Sequence, residues 1–278
     1  MERTNYCVYA AESSKFPKVV EPPEARQQVL GMDKEVIADC MVTEAGWYKA
    51  NCFEPEMVAH PSGEVMLFMG SDKENPLELN ATLELWIEND KLTLTKSCAV
   101  FIPAGCAHGK LRFSDMQRPV AYYAVQPDTN EYVAEPKEAT AAEGTYANNW
   151  CLDFQPSNGP APNPPEGLMT GVIWIDGGKV LNAAYAEGVW FHKKNPEAPP
   201  PHTHTYGEFL SFFGADPEHP EELGCEMEFH IEGEPIQINQ SCLLYVPAGV
   251  VHNPFWFKDV KTDFFHTSGY SGTEYSRQ

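Results

Sequence analysis

Positive charge is what this chain has least of: 19 Lys+Arg stand against 40 Asp+Glu in 278 residues, a formal net charge of −21. A field of that sign repels phosphate backbones and anionic bilayer surfaces, so neither nucleic acid nor a membrane is an expected partner. No run approaches the roughly 20 apolar residues that a membrane-spanning helix needs. The opening stretch MERTNYCVYAAESSKFPK lacks the continuous apolar core of a secretory signal, so a cytoplasmic location is expected. None of the eight cysteines (7, 40, 52, 98, 106, 151, 225 and 242) falls in a CxxC pair. They read as reduced thiols, not as a disulfide framework. There is no P-loop, no GxGxxG and no Ser-His-Asp arrangement, so nucleotide chemistry has no foothold. What is present is a hydrophobic fraction of 42%, rich in aromatics, which suffices for a well-buried core in one large domain or two ordinary ones.

The chain repeats itself. Shifted by 144 positions, HPSGEVMLFMGSDKENPLEL from His60 lies over HTYGEFLSFFGADPEHPEEL from His204, and SCAVFIPAGCAHGKLRF lies over SCLLYVPAGVVHNPFWF without a gap. Across positions 58 to 113 about twenty of fifty-six pairs are identical, far above chance for ordinary composition. Both copies alternate apolar with polar residues, as in TLELWIEN and EMEFHIEG, with Leu83, Leu85 and Ile87 on one face and Met227, Phe229 and Ile231 on another. Short strands between Gly/Asp/Pro turns predict an all-β sandwich or barrel for each copy. The matching acids Asp72/Asp216 and Glu74/Glu218 sit in these turns and are assigned to turn chemistry. A Pro-, Gly-, Ala- and Asn-rich connector precedes the second copy, which sets an expected boundary between domains 1–145 and 146–278. Its Trp150, Cys151 and Leu152 are expected to pack against a domain.

The segment PPPHTHTYGE, residues 199–208, carries His202, His204 and Glu208. The even spacing would aim all three to one side of an extended chain, whereas a helix would separate the two histidines. The proline run also rules out a regular helix there. His204, Glu208 and His252 answer to His60, Glu64 and His108 in the first copy, while His202 answers to Val58. His108 and His252 each follow a Pro-Ala-Gly turn at the start of a strand. A titratable residue at matched sites of both halves points to shared function, because packing rarely selects histidine.

These residues resemble the motifs of the cupin superfamily: His-x-His-xxx-Glu, then Pro-x-Gly-xx-His some forty residues later. Both motifs stand in the second copy, so the chain looks like a bicupin, two tandem double-stranded β-helix (jelly-roll) barrels. Departures from the pattern are Pro196 for a usual Gly, Trp256 for a usual Asn, and a Glu208-to-Gly214 spacing one residue short. Three imidazoles and a carboxylate suit Fe(II), Mn(II), Zn(II) or Ni(II) and leave two coordination positions open. The expected metal site is therefore His202, His204, Glu208 and His252. His60, Glu64 and His108 form a possible second site, weakened by Val58. Tyr206 and His266 are candidate catalytic groups, the first as a donor to a bound oxyanion.

By analogy to the family, the chain is expected to be a metal-dependent enzyme acting on a small oxygenated compound. The first expectation is a dioxygenase-type oxidoreductase. The alternatives are a redox-neutral lyase, decarboxylase or isomerase, and a non-catalytic protein that binds a small molecule. The long segment before Cys40 is available for packing of the two barrels or for a homodimer contact.

Overall fold

The computed structural model describes residues 6–160 and 162–275, and they are almost wholly β. Each copy contributes a six-stranded antiparallel sheet. In the N-terminal half its order is Trp150–Cys151, Cys98–Ile102, Glu64–Gly70, Val120–Gln126, Val42–Tyr48, Arg26–Met32. In the C-terminal half it is Cys7–Tyr9, Cys242–Val246, Glu208–Gly214, Phe264–Tyr270, Tyr185–Phe191, Met169–Ile175. A second sheet faces each of these, built around His108–Ser114 in the first copy and around Glu222–Ile231, with His252–Val260 at its edge, in the second. The result is two jelly-roll barrels, as the alternating sequence predicts.

The outermost strand of each large sheet belongs, in chain order, to the other half. Cys7–Tyr9 pairs with Cys242–Leu244, and Trp150–Cys151 with Ala99–Val100. The connector therefore packs where its apolar cluster predicts: Trp150 and Leu152 lie against the N-terminal core.

Three cores result. Leu83, Leu85 and Ile87 fill the N-terminal barrel and Met227, Phe229 and Ile231 the C-terminal one, while the alternate residues face outward. On that outer face Glu84 pairs with Lys91, and Glu228 with His230 at 2.8 Å, so neither matched glutamate enters a cavity. The third core joins the halves: the Trp47 ring lies 5.7 Å from Phe213 and 5.9 Å from Phe265, and Tyr123 lies 5.9 Å from Phe213. Full burial of each such ring contributes about 2–3 kcal/mol. In the turns, Asp72 and Asp216 each accept the backbone N–H two residues on, at 3.2 and 2.9 Å, which is the expected turn chemistry.

Candidate metal centres

Two backbone devices bring the motif residues together. Gly105 and Gly249 close the Pro-Ala-Gly turns with φ of +74° and +77°, a region open to glycine at no steric cost. Their N–H groups donate to the carbonyls of His60 (2.8 Å) and His204 (2.9 Å), tying the second motif to the first in each barrel. In the C-terminal barrel, His202 and His252 also form an antiparallel bridge, each N–H donating to the other's carbonyl at 3.1 Å.

The C-terminal cluster follows. The His202 and His252 rings lie 4.4 Å apart, and one ring nitrogen from each of His202, His204 and His252 falls within 4.8 Å of the others. Glu208 Oε2 approaches His252 Nε2 at 3.0 Å and His204 Nε2 at 3.5 Å. The Nδ1–H groups of His202 and His252 donate to the carbonyls of Pro200 (3.0 Å) and Val250 (3.2 Å), which leaves Nε2 of each ring as the lone-pair donor. Burial alone would raise the Glu208 carboxyl, but the imidazoles of His204 and His252 beside it hold it at about 2, so it is ionised. His252 Nε2 and Glu208 Oε2 are fully buried, yet neither makes a well-formed hydrogen bond. A carboxylate and imidazole lone pairs converging out of water are a donor set that a divalent cation fits. One expectation is corrected. The three donors of PPPHTHTYGE do not lie on one extended strand, because the chain bends at Thr205–Tyr206 and only Glu208 opens a strand.

The N-terminal cluster repeats the arrangement with one donor fewer. Glu64 Oε2 lies 3.2 Å from His108 Nε2, and Glu64 Oε1 lies 3.8 Å from His60 Nε2. Ligand atoms of all three residues fall within 4.8 Å of one another. His60 and His108 donate through Nδ1 to the carbonyls of Val133 (2.6 Å) and Cys106 (3.1 Å). Burial works against the Glu64 carboxylate, but His60 and His108 hold its pKa well below the usual range. Val58 pairs with His108 as His202 pairs with His252, so the missing donor is missing in space as well as in sequence.

The two clusters open into unequal cavities. The C-terminal cavity has a volume of about 180 Å³, with His202, Glu208, Glu187 and His266 in walls otherwise made by side chains such as Phe191 and Phe255. The N-terminal cavity measures about 70 Å³ and is walled by Val58, His60, His108, Lys18 and Tyr132 among others. His266 donates through Nδ1 to the Ser211 carbonyl at 2.9 Å and stacks on Phe212 at 4.7 Å. Burial lowers its pKa to about 4, so the ring is neutral. Tyr206 is 43% exposed and stacks on Tyr270 instead of walling the cavity.

Sequence reading missed Glu187 and its counterpart Glu44, which are third in VTEAGWY and YAEGVWF. Those strands match at a shift of 143, one short of the shift that aligns the motifs, so an ungapped comparison passes over them. Lys18 and Tyr132 were missed for another reason: both come from irregular segments with no periodic signal.

No protein-family model matches the chain, and no curated protein matches it in sequence. Solved structures do. A Lactobacillus farciminis oxalate decarboxylase in complex with formate superposes with a TM-score of 0.63 at 9% identity, covering 99% of this chain and 88% of that one. A single-site variant of Bacillus subtilis oxalate decarboxylase gives 0.61 at 9% identity, with coverages of 99% and 79%. Those enzymes are bicupins. This chain has the bicupin fold. A further B. subtilis oxalate decarboxylase structure, from work on its Mn(II) centres, superposes at 0.60 with 8% identity, covering 99% of this bicupin and 79% of that chain. Identities this low speak for the fold alone. The ability to bind a divalent metal rests on the bicupin's own His/Glu groups.

Proposed function

We propose that this bicupin is a metal-dependent enzyme that works without net redox change, as a lyase, on a small oxygenated compound at the C-terminal centre. The observation that carries the reading is the cavity of about 180 Å³ in which His202 and Glu208 of the ligand cluster, Glu187 and the neutral His266 share walls made largely by aromatic and aliphatic side chains. In it His202, His204, Glu208 and His252 hold the metal. When bound, a divalent ion supplies Lewis acidity toward a carbonyl or carboxylate oxygen of the substrate. Glu187 gives or takes a proton at the reacting carbon, since a carboxylate in the cavity wall is within the molecule's own reach of a bound ligand. His266, its Nδ1 committed to the Ser211 carbonyl, offers Nε2 as an acceptor for a substrate hydroxyl. Phe191 and Phe255 keep bulk water from the apolar part of the ligand.

Acid–base groups beside a Lewis-acid site are what C–C or C–O cleavage needs, and the structural neighbours are decarboxylases. Both considerations favour the lyase over the dioxygenase that the sequence motifs first suggest. The test is elemental analysis of protein purified without added metal, followed by turnover of a panel of small keto-acids and hydroxy-acids under nitrogen. Bound metal that is lost in His204→Ala, together with anaerobic product formation, supports the lyase. Turnover coupled to oxygen uptake would restore the dioxygenase. A tightly held small molecule without turnover would make the protein a carrier.

A further inference from the structure

The C-terminal cavity holds negative charge and no fixed positive charge. Its wall carries the carboxylates of Glu187 and Glu208 beside the imidazoles of His202 and His266, and no Lys or Arg among the described residues. Met169 stands where the N-terminal barrel has Arg26, since Met169 pairs with Phe191 as Arg26 pairs with Tyr48. Lys179 reaches only the carbonyl of the wall residue Trp174, at 2.9 Å, and is paired with Asp153. We propose that this cavity selects a 2-hydroxy monocarboxylic acid with an uncharged, bulky arm and rejects the dicarboxylic acid of the same size, with Glu187 as the residue that sets the choice. The proposal rests on the reading of the C-terminal cluster as a metal centre acting on a small oxygenated compound.

Charge decides against a second carboxylate. A divalent ion brings two positive charges, of which Glu208 cancels one and the acid group of the ligand the other. The Glu187 carboxylate then remains in the wall. A second ligand carboxylate would share that enclosure with it and find no cation to pair with. Like charges brought together repel, and a carboxylate that leaves water without a partner loses its hydration uncompensated.

Space and surface favour an apolar arm. In a volume of about 180 Å³, a head of a few chelating atoms would leave Met169, Val189, Phe191, Leu210 and Phe255 uncovered. An arm laid on these side chains gains from the burial of apolar surface. The Trp174 indole N–H offers a polar arm nothing, because it is spent on Asp176 at 2.9 Å.

The head of the ligand has a protein partner besides the metal. Asn253 follows His252 in the chain, is 6% exposed and stands in the cavity wall, with its amide 3.4 Å from the His202 ring. Its Oδ1 has no hydrogen-bond partner among the described residues. A buried amide oxygen left in that state is costly, and a ligand hydroxyl satisfies it. Gly109 holds the matching position in the first barrel, so this amide belongs to the C-terminal cavity alone.

The test uses the full chain with His60→Ala, loaded with Mn(II), so that the ion sits at the C-terminal centre alone. The probes are 2-hydroxy-4-methylpentanoate and malate, which share one head and differ in the arm, isopropyl in the first and the isosteric carboxylate in the second. Affinities are read from paramagnetic broadening of the probe proton signals, with Mn content measured alongside. The branched acid should bind at least about ten-fold more tightly than malate, from apolar burial and charge repulsion together. Glu187→Gln should narrow that gap several-fold through tighter malate binding, with little change for the branched acid and none in Mn content. Malate bound as tightly as the branched acid would overturn the proposal, and so would a gap that Glu187→Gln leaves unchanged. If that variant fails to fold, the comparison of the two acids with Glu187 in place still decides. Retained Mn with neither acid bound would refute the selection and leave the metal centre standing, whereas a protein that takes up no Mn would refute the metal reading and the selection with it.

Discussion

Glu44 and Glu187 occupy the same station in their two barrels: Glu44 faces Ala124 across the neighbouring strand, and Glu187 faces Ser268, the register equivalent of Ala124. Their surroundings have diverged. Glu44 is locked between Arg26 and Lys18, whereas Glu187 walls the larger cavity beside Glu208.

Glu44→Gln should therefore act on stability. It strips two largely buried cations of their carboxylate, at a cost of roughly 3 kcal/mol, or a fall of about 5–10 °C in melting temperature. Urea and thermal melts of the purified variant check this; a variant as stable as wild type would mean that the network contributes nothing net.

Glu187→Gln should act on chemistry instead. Removal of a proton carrier lowers turnover by about 10²-fold or more. Metal content should stay at the wild-type level, because Glu187 is outside the ligand cluster. Elemental analysis beside initial rates separates this from a loss of metal.

Val58→His should strengthen the N-terminal centre. Val58 stands opposite His108 as His202 stands opposite His252, so the new imidazole enters a place already used for a donor in the other barrel. Affinity for Mn(II) or Zn(II) at that centre should rise by at least about ten-fold. Competition against a calibrated chelator, in a His204→Ala background, measures it.

His266 sets a pH dependence whose sign is fixed. Its pKa falls from 6.5 in the unfolded chain to about 4 when buried, so between these values the unfolded chain binds a proton that the native state refuses. Native stability is complete above pH 6.5 and declines as the solution is acidified toward pH 4, by roughly 3 kcal/mol from this group. Denaturant melts of His266→Gln across that window should show a shallower decline than wild type. An identical slope would mean that the ring is not desolvated.

Much of this architecture is legible in the sequence because it is written twice. The alternation around Leu83 and Met227 sets strands and inner faces, and the matched histidines mark the clusters. Three things were not legible. His204 and Glu208 are separated by a bend and do not share one strand, and the hydrogen bond from Gly249 of the Pro-Ala-Gly turn to the His204 carbonyl helps set the path of that segment. Glu44 and Glu187 lie behind a one-residue change of register. Lys18 has no counterpart among the described residues of the other cavity's wall, so the repeat that reveals the histidines is silent about it. The comparison of copies finds what they share, and here the chemistry that separates them is in what they do not share.

The traded edge strands bear on how the molecule can be taken apart. A cut near residue 145 would give one fragment that carries Cys7–Tyr9 with nothing to lie against and lacks the strand that shields Ala99–Val100, and a second fragment with the complementary defects. Each piece alone would expose a bare sheet margin and invite self-association. Mixed, the two should find each other and restore the native assembly, so the duplicated halves make a pair for split-protein reconstitution and poor candidates for separate expression.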